Sequence, residues 1–557
     1  MERHLKADTR MQLAYTADQW RRTEDEANQK RVLQSLTDYT KLFFGRLEKP
    51  QSVLYKADHE PRLISHIGSE VKSGNEKKTG VGDTTIDVQS SLVAKTPENH
   101  TSSQRQRSKP HVYNPSLNSG QKQKNENLES VIHIQKNRME LEDLVRVFDE
   151  EIVRSGVDMS HPTQFCLVPG SGHLLYSAAE YLASIAHVLS AARFVNAGAC
   201  DIEQSVLRWV SDIVGYPQQA RGITVSGTSM GVIVAFSTAR HVKLENSNQF
   251  SRSVVYMTDL AHPCNTRALR IVGLTDVVLR RVPTRKYRMD AGKLEEMITA
   301  DIEDGLLPFM VIGTIGTTSL GVVDPLGAIS EVAQKHGLWF HVDAAIGGLL
   351  MLDESVRRRC EGVHMADSVA MDFHKSLSAP YGTAAVLLRN GNHLRKTMAR
   401  DSAPYLADSL EEEYSPLDLS FEFTRPFRAF PVWAMLKTLG SEMIKSAIQE
   451  KVKLTEYAYK TISDLKNVVT CMAPDLTVIA FRCVPSGSED GNYATRKWHE
   501  LIAEEGQICL TPTTVDGLFY IRLCILSFRS HIEDVETALV SIKRNLAYVL
   551  SGSGNEE

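Results

Sequence analysis

A lysine amine, a carboxylate and a glycine-hydroxyl turn are the residues of this chain whose types and settings suggest chemistry. Lys375 stands in Asp372-Phe373-His374-Lys375, downstream of His341-Val342-Asp343-Ala344-Ala345. A primary amine can join an aldehyde as a Schiff base once it is partly unprotonated, a state that burial beside cationic groups favours. Asp343 closes the apolar run Leu338–Val342, and the alanines after it leave room for a flat ring. A carboxylate so placed can pair with a protonated ring nitrogen, although on its own it could equally cap a helix or bind a metal. Ser226-Gly227-Thr228-Ser229 lies between a strand pattern and a helix pattern. Hydroxyls and a glycine turn at a helix N-terminus form an anion site that suits a phosphate. An amine for an aldehyde, an acid for a ring nitrogen and a site for a phosphate are together what pyridoxal phosphate (PLP) requires of a protein.

The same turn supports a second reading. Gly227-Thr228-Ser229-Met230-Gly231 is a G-x-S-x-G in strand-turn-helix context, the setting of a serine hydrolase nucleophile, with a late histidine such as His531 as its base. No His-Gly-Gly oxyanion segment precedes it, and this reading leaves Lys375 and Ala344-Ala345 without a purpose. His262, in Ala261-His262-Pro263-Cys264, follows another strand pattern and could stack on a flat ring or polarise a substrate. Thr314 to Ser319 likewise ends a strand pattern with glycine and hydroxyls.

These residues need a scaffold that brings them together. Short β-branched runs alternate with helical patterns at Ile223–Val225, Ser253–Met257, Asp276–Leu279, Phe309–Gly313, Leu338–Val342, Ser368–Met371 and Ala384–Leu388. Seven such runs predict an α/β domain with a doubly wound, mostly parallel sheet, whose ligands sit beyond the carboxyl ends of the strands. Helical spacing from Arg428 to Ile462, strands at Leu476–Phe481 and Leu518–Leu523, and a helix over Ile532–Leu550 predict a smaller C-terminal α+β domain. Apolar residues at helical spacing between Ala17 and Leu54 predict an N-terminal helical arm, and further helices are expected at Glu140–Phe148 and Ser177–Ala192. The polar insert at 66–128 has few aliphatics and no periodicity, which is the composition of a disordered segment. The expected division is an arm over 1–160, a large domain over 161–430 and a small domain over 431–557.

Composition narrows the function. A length of 557 residues with 42% hydrophobic content predicts two or three globular units. A net charge of −5 implies neither nucleic-acid nor membrane binding. The eight cysteines show no C-x-x-C spacing, which argues against a zinc site or disulfide framework and for a reducing compartment. The first residues lack the apolar core of a signal peptide, and the apolar stretch Leu174–Val195 is interrupted by Glu180, His187 and Arg193. The expectation is a cytoplasmic enzyme without a metal.

In order and spacing the chain resembles the group II PLP-dependent amino acid decarboxylases, which act on aromatic amino acids, glutamate, histidine or cysteine sulfinate. The resemblance runs from about Ser160 to Ile532 and is carried by His161-Pro162, Ile202-Glu203, Gly215-Tyr216-Pro217, Thr228-Ser229 and His262 with Arg267-Ala268. It continues through Gly316-Thr317-Thr318, Asp324, His341 to Ala345, His374-Lys375 and Arg425-Pro426-Phe427-Arg428. It implies a PLP-dependent transferase of fold type I working as a homodimer with active sites at the subunit interface. It also implies that Lys375 binds the aldehyde, Asp343 pairs with the ring nitrogen, His262 stacks on the ring and Ala345 faces its other side. Thr228, Ser229 and His374 would bind the phosphate, while Thr318 and Asp324 would support the ring region.

The implied reaction is decarboxylation of an L-amino acid to an amine, with an aromatic substrate favoured. The alternatives are an acidic amino acid or the oxidative chemistry of the related aldehyde synthases. Tyr405 lies where the family places a mobile loop whose tyrosine protonates the carbon that carbon dioxide leaves; the synthases have phenylalanine there, so Tyr405 favours decarboxylation. The chain departs from the pattern at Asp372, where asparagine is common, at Ser376 and at Val232. Leu167-Val168-Pro169-Gly170 aligns with a pocket wall that is aromatic in animal members and aliphatic here.

Overall fold

The computed structural model describes residues 5, 7–47, 133–134, 138–168, 170–244, 246–398, 415–485 and 491–552. The insert at 66–128 and Tyr405 lie outside these residues. Met1–Asp38 and Lys109–Glu557 form one compact unit; a second, Tyr39–Ser108, is described only by the end of the helix Glu26–Leu47.

The seven apolar runs form one sheet: β1 (Arg221–Val225), β2 (Ser253–Met257), β3 (Val278–Arg281), β4 (Leu307–Thr314), β5 (Trp339–Asp343), β6 (Ser368–Asp372) and β7 (Ala384–Leu388). Their order is β1-β7-β6-β5-β4-β2-β3. Only β7 runs against its neighbours; every other pairing in this sheet is parallel. The inner parallel strands are covered on both faces, which is why their sequences are largely apolar rather than alternating, whereas the edge strand β3 ends in Arg280-Arg281 and is partly exposed. Phe340 and Val342 join a core cluster on one face, and Trp339 joins the cluster on the other.

The helix Thr228–Lys243 buries Val232, Ala235, Phe236 and Ala239, a stripe at helical spacing, against the second face. Gly231 lets that helix lie close to the sheet, since a Cβ there would come 3.2 Å from the Ala370 Cβ.

A second sheet, all antiparallel, contains β8 (Val468–Thr470), β9 (Val478–Cys483), β10 (Thr511–Val515) and β11 (Leu518–Cys524) in the order β8-β9-β11-β10. The helices Ser441–Ser463, Gly491–Glu505 and Ile532–Gly552 share its core. Leu13 of the N-terminal helix Ala7–Thr23 enters this core, while Trp20 of the same helix packs into the main cluster.

One local expectation is corrected, and two elements appear that the sequence reading does not foresee. The helix expected over Ser177–Ala192 spans Leu174–Ile185, and His187 then takes a left-handed φ of 50°, after which the apolar continuation is a loop that buries Ser190, Ala191 and Ala192. The hairpin Thr284–Arg285 with Arg288–Met289 adds a pair of strands without a sequence signal, because Lys286 and Tyr287 hold positive φ in place of the usual Asn-Gly. β10 adds another, hidden in the sequence by Pro512, which an edge strand tolerates.

Candidate functional site

The parallel arrangement brings five strand ends to one edge of the large sheet. β1 leads into Gly227, Thr228 and Ser229; β2 leads to His262 and Cys264; β4 ends in Thr314 before Gly316, Thr317 and Thr318; β5 ends in Asp343 before Ala345; β6 ends in Asp372 before His374 and Lys375. All of these residues line one cavity of about 200 Å³.

Lys375 sits in a single turn, Phe373–Ser376, with its side chain 23% exposed and Nζ 2.8 Å from Asp372 Oδ2. The turn is fixed at both ends. Phe373 and His374 donate their amides to the Thr383 carbonyl, and the Ser376 hydroxyl donates to the Ile346 carbonyl at 2.8 Å. Ser376 is thus the tie between the lysine turn and the segment after β5. Gly170 passes directly behind; a Cβ there would fall 2.0 Å from the His374 carbonyl oxygen, so only glycine fits. The aliphatic wall over Leu167–Gly170 therefore adjoins the lysine turn, although Pro169 lies outside the described residues.

Asp343 is 3% exposed. Its Oδ1 accepts the Ala345 amide at 3.2 Å, and its Oδ2 accepts from Asn265 Nδ2 at 3.3 Å. Asn265 also donates to the His262 carbonyl at 3.1 Å, so it fixes the loop carrying His262 relative to the acid. Sequence reasoning misses Asn265. An asparagine in the first turn of a short helix reads as local capping, and its partner across the sheet edge leaves no trace in the sequence.

The anion end of the cavity is the N-terminus of the helix Thr228–Lys243. The Thr228 amide donates to Asp372 Oδ1 at 2.7 Å, while the Thr228 hydroxyl is buried without a partner. Thr314, also on the cavity, likewise buries an unpartnered hydroxyl. Buried hydroxyls normally find partners, so two of them at one cavity mark places where a ligand's acceptors fit. Cys264 shares the lining, but burial, with the charge of Asp343, pushes its thiol up to about 12, which leaves it inert.

Asp324 stands apart from the other expected residues and does not line this cavity. It is 2% exposed, and its two oxygens accept the backbone amides of Met289 at 2.8 Å and Thr314 at 2.9 Å. It is a staple behind the end of β4, and burial raises its carboxyl to about 6. The hydrolase reading loses its base: His531 is buried, pairs through Nδ1 with Glu450 Oε1 at 2.8 Å and lies outside the cavity. Among the described residues no cluster of His, Cys, Asp and Glu could hold a metal ion, and no helix is long and apolar enough to cross a membrane.

Residues 126–484 match the pyridoxal-dependent decarboxylase conserved domain. An aromatic-L-amino-acid decarboxylase of Bacillus atrophaeus is 30% identical over 417 residues, which cover 74% of this chain and 86% of that protein. A phenylacetaldehyde synthase of Arabidopsis thaliana is 26% identical over 409 residues, covering 70% and 82% respectively. The crystal structure of Oryza sativa TDC with PLP and tryptamine shares the fold with a TM-score of 0.74 at 23% identity, covering 79% of this chain and 94% of that one.

Proposed function

The chain belongs to the family of pyridoxal-dependent decarboxylases, and from that premise we propose that it removes the α-carboxylate of an aromatic L-amino acid and releases the amine. The observation that carries this reading is the single cavity on which the Lys375 amine, the buried Asp343 carboxylate and the free hydroxyl of Thr228 meet. They match the three demands of the cofactor, an aldehyde partner, a ring-nitrogen partner and a phosphate site. When bound, PLP supplies the electron sink that accepts the pair left at Cα as carbon dioxide departs.

The residues divide the remaining work. Lys375 would hold the cofactor through its aldehyde. Asp343 would keep the ring nitrogen protonated by a charge-assisted bond. His262 and Ala345, both on the cavity wall, would flank the ring. Thr228, Ser229 and the amides of the first helical turn would hold the phosphate together with His374. Thr318 borders the ring region, and Asp324 acts at one remove by fixing Thr314. Tyr405 delivers a proton to Cα after decarboxylation.

The cavity favours an aromatic over an acidic substrate. Among its described lining residues Lys375 is the only lysine or arginine, and it is assigned to the cofactor rather than to a side-chain carboxylate. The similarity to the aromatic-L-amino-acid decarboxylase points the same way. The likeness to a phenylacetaldehyde synthase gives the second reading, an aldehyde-forming oxidase, against which Tyr405 stands.

We place the domain division at 161–430 and 431–557, following the two sheets, with residues 1–160 as the arm. A cytoplasmic homodimer is proposed from the family pattern. Tyr381, 69% exposed beside a second cavity of about 710 Å³ that Phe427 also lines, is the kind of apolar surface a second subunit covers. The test is borohydride fixation of PLP followed by peptide mapping, with amine release measured over the common L-amino acids. Label on the Lys375 peptide and fastest release from an aromatic substrate are expected; label on another lysine would refute the assignment.

A further inference from the structure

The contacts of Asp372 go beyond a structural role at the end of β6. This carboxylate is 4% exposed, accepts the Thr228 amide at 2.7 Å through Oδ1, and meets Lys375 Nζ at 2.8 Å through Oδ2. His374 Nε2 lies 3.7 Å from the same Oδ2. Thr228 opens a 16-residue helix, so its amide is one of the unsatisfied donors that make a helix N-terminus an anion site. An anion therefore already occupies part of that site, and it belongs to the protein.

We propose that Asp372 competes with the cofactor's phosphate for this site: its carboxylate binds Lys375 and the helix amide and thereby sets how weakly the cofactor is held. The proposal rests on the assignment of Lys375 made above. A phosphate arriving at this helix meets a buried carboxylate of like charge, in surroundings where such charges repel far more than in water. No arginine lines the cavity among the described residues to offset the two. Lys375, the cation that balances Asp372, has to leave it before its amine is available to any other group. The buried Thr228 hydroxyl without a partner shows that the phosphate end has a donor in reserve that Asp372 does not use.

The test is Asp372→Asn in the full-length apoprotein. Asparagine keeps the shape and an oxygen for the Thr228 amide and removes only the charge. Cofactor affinity is read by quenching of tryptophan fluorescence, titrating with pyridoxal phosphate and separately with pyridoxal, which carries no phosphate. We expect Asp372→Asn to bind pyridoxal phosphate on the order of tenfold more tightly, with a smaller gain for pyridoxal. A residue that merely supports the fold would give the opposite sign. An unchanged or weaker Kd for pyridoxal phosphate overturns the proposal, and so does an equal gain for both ligands. Circular dichroism checks folding, and Asp372→Ser repeats the comparison if the asparagine variant does not fold. Borohydride mapping of both proteins separates the two layers. Label on a lysine other than Lys375 refutes the reading beneath the proposal; label on Lys375 with an unchanged Kd refutes the proposal alone.

Discussion

Breaking the Glu203–Arg425 pair should damage the protein through a buried charge left without a partner, and replacing both residues should repair much of the damage. Both side chains are essentially inaccessible, with Arg425 at 0% and Glu203 at 1%. The guanidinium donates to Glu203 Oε2 at 2.7 Å and to Oε1 at 3.0 Å, and its second nitrogen reaches the Thr224 carbonyl and hydroxyl, each at 2.6 Å. Glu203 in turn accepts the Thr224 amide at 2.9 Å. Removing one partner of such a pair costs about 3–5 kcal/mol, because the other charge stays buried. Arg425→Met and Glu203→Leu should each lose that much. In the double variant no buried charge remains; the residual cost falls on Thr224, whose amide and hydroxyl lose Glu203 as acceptor and whose carbonyl loses Arg425 as donor, on the order of 1–3 kcal/mol for a buried group left unpaired. The double variant should therefore be more stable than either single one, a coupling of several kcal/mol that a double-mutant cycle in urea reads directly. Because Thr224 lies just before the turn at Gly227, cofactor affinity should fall in both single variants and recover in the double. Additive losses, or an Arg425→Met protein as stable as the parent, would refute the argument.

Two other outcomes are expected. Asp343→Asn should retain cofactor yet lose about 10- to 100-fold in amine release, the worth of one charge-assisted bond of about 1.5–3 kcal/mol, and near-normal turnover would contradict the role of Asp343. Tyr405→Phe should lower amine formation by about 10²- to 10⁴-fold and begin to consume oxygen with release of aldehyde, ammonia and peroxide; an oxygen electrode and an amine assay read both, and unchanged amine output would remove Tyr405 from the mechanism.

The strands of the large sheet are legible because burial on both faces leaves short, almost continuously apolar runs such as Ser253–Met257, a pattern that an exposed loop or a half-buried strand does not produce. Lys375 and Asp343 are legible because strand ends carry a parallel sheet's ligands, so polar residues just beyond apolar runs stand out. The contacts between strand ends are not. That Asp372 reaches Thr228, or Asn265 reaches Asp343, depends on which strands are neighbours, and apolar runs carry no address for their partners. Asp324 shows the same limit. Its place in the motif points to the ring, but a carboxylate clamped between two backbone amides works through what it holds in place. Ser229 shows another: strand, glycine turn and helix serve an anion or a nucleophile equally well, and only the partner beside the serine tells them apart.

The pairing of β5 with its neighbours finally explains why Asp343 faces the cavity at all. Side chains alternate along a strand, so a slip of one residue would turn Asp343 to the opposite face of the sheet. His341 lies on the Asp343 side, and its Nδ1 contacts the Ser368 hydroxyl at 2.8 Å, to which Trp339 Nε1 also donates at 2.9 Å. Two side chains of β5 thus share one hydroxyl of β6, and they do so only in the register that pairs His341 with Ser368 and Asp343 with Ala370. Burial pushes the His341 imidazole down to about 3, so it stays neutral near pH 7 and serves as a fixed hydrogen-bonding group rather than an acid or base. On the other side β4 pairs Thr314 with Asp343, and Asp324 clamps the Thr314 amide. The acid and the threonine hydroxyl at the cavity are therefore placed by the two registers of β5, held on one flank by a neutral histidine and on the other by a buried aspartate.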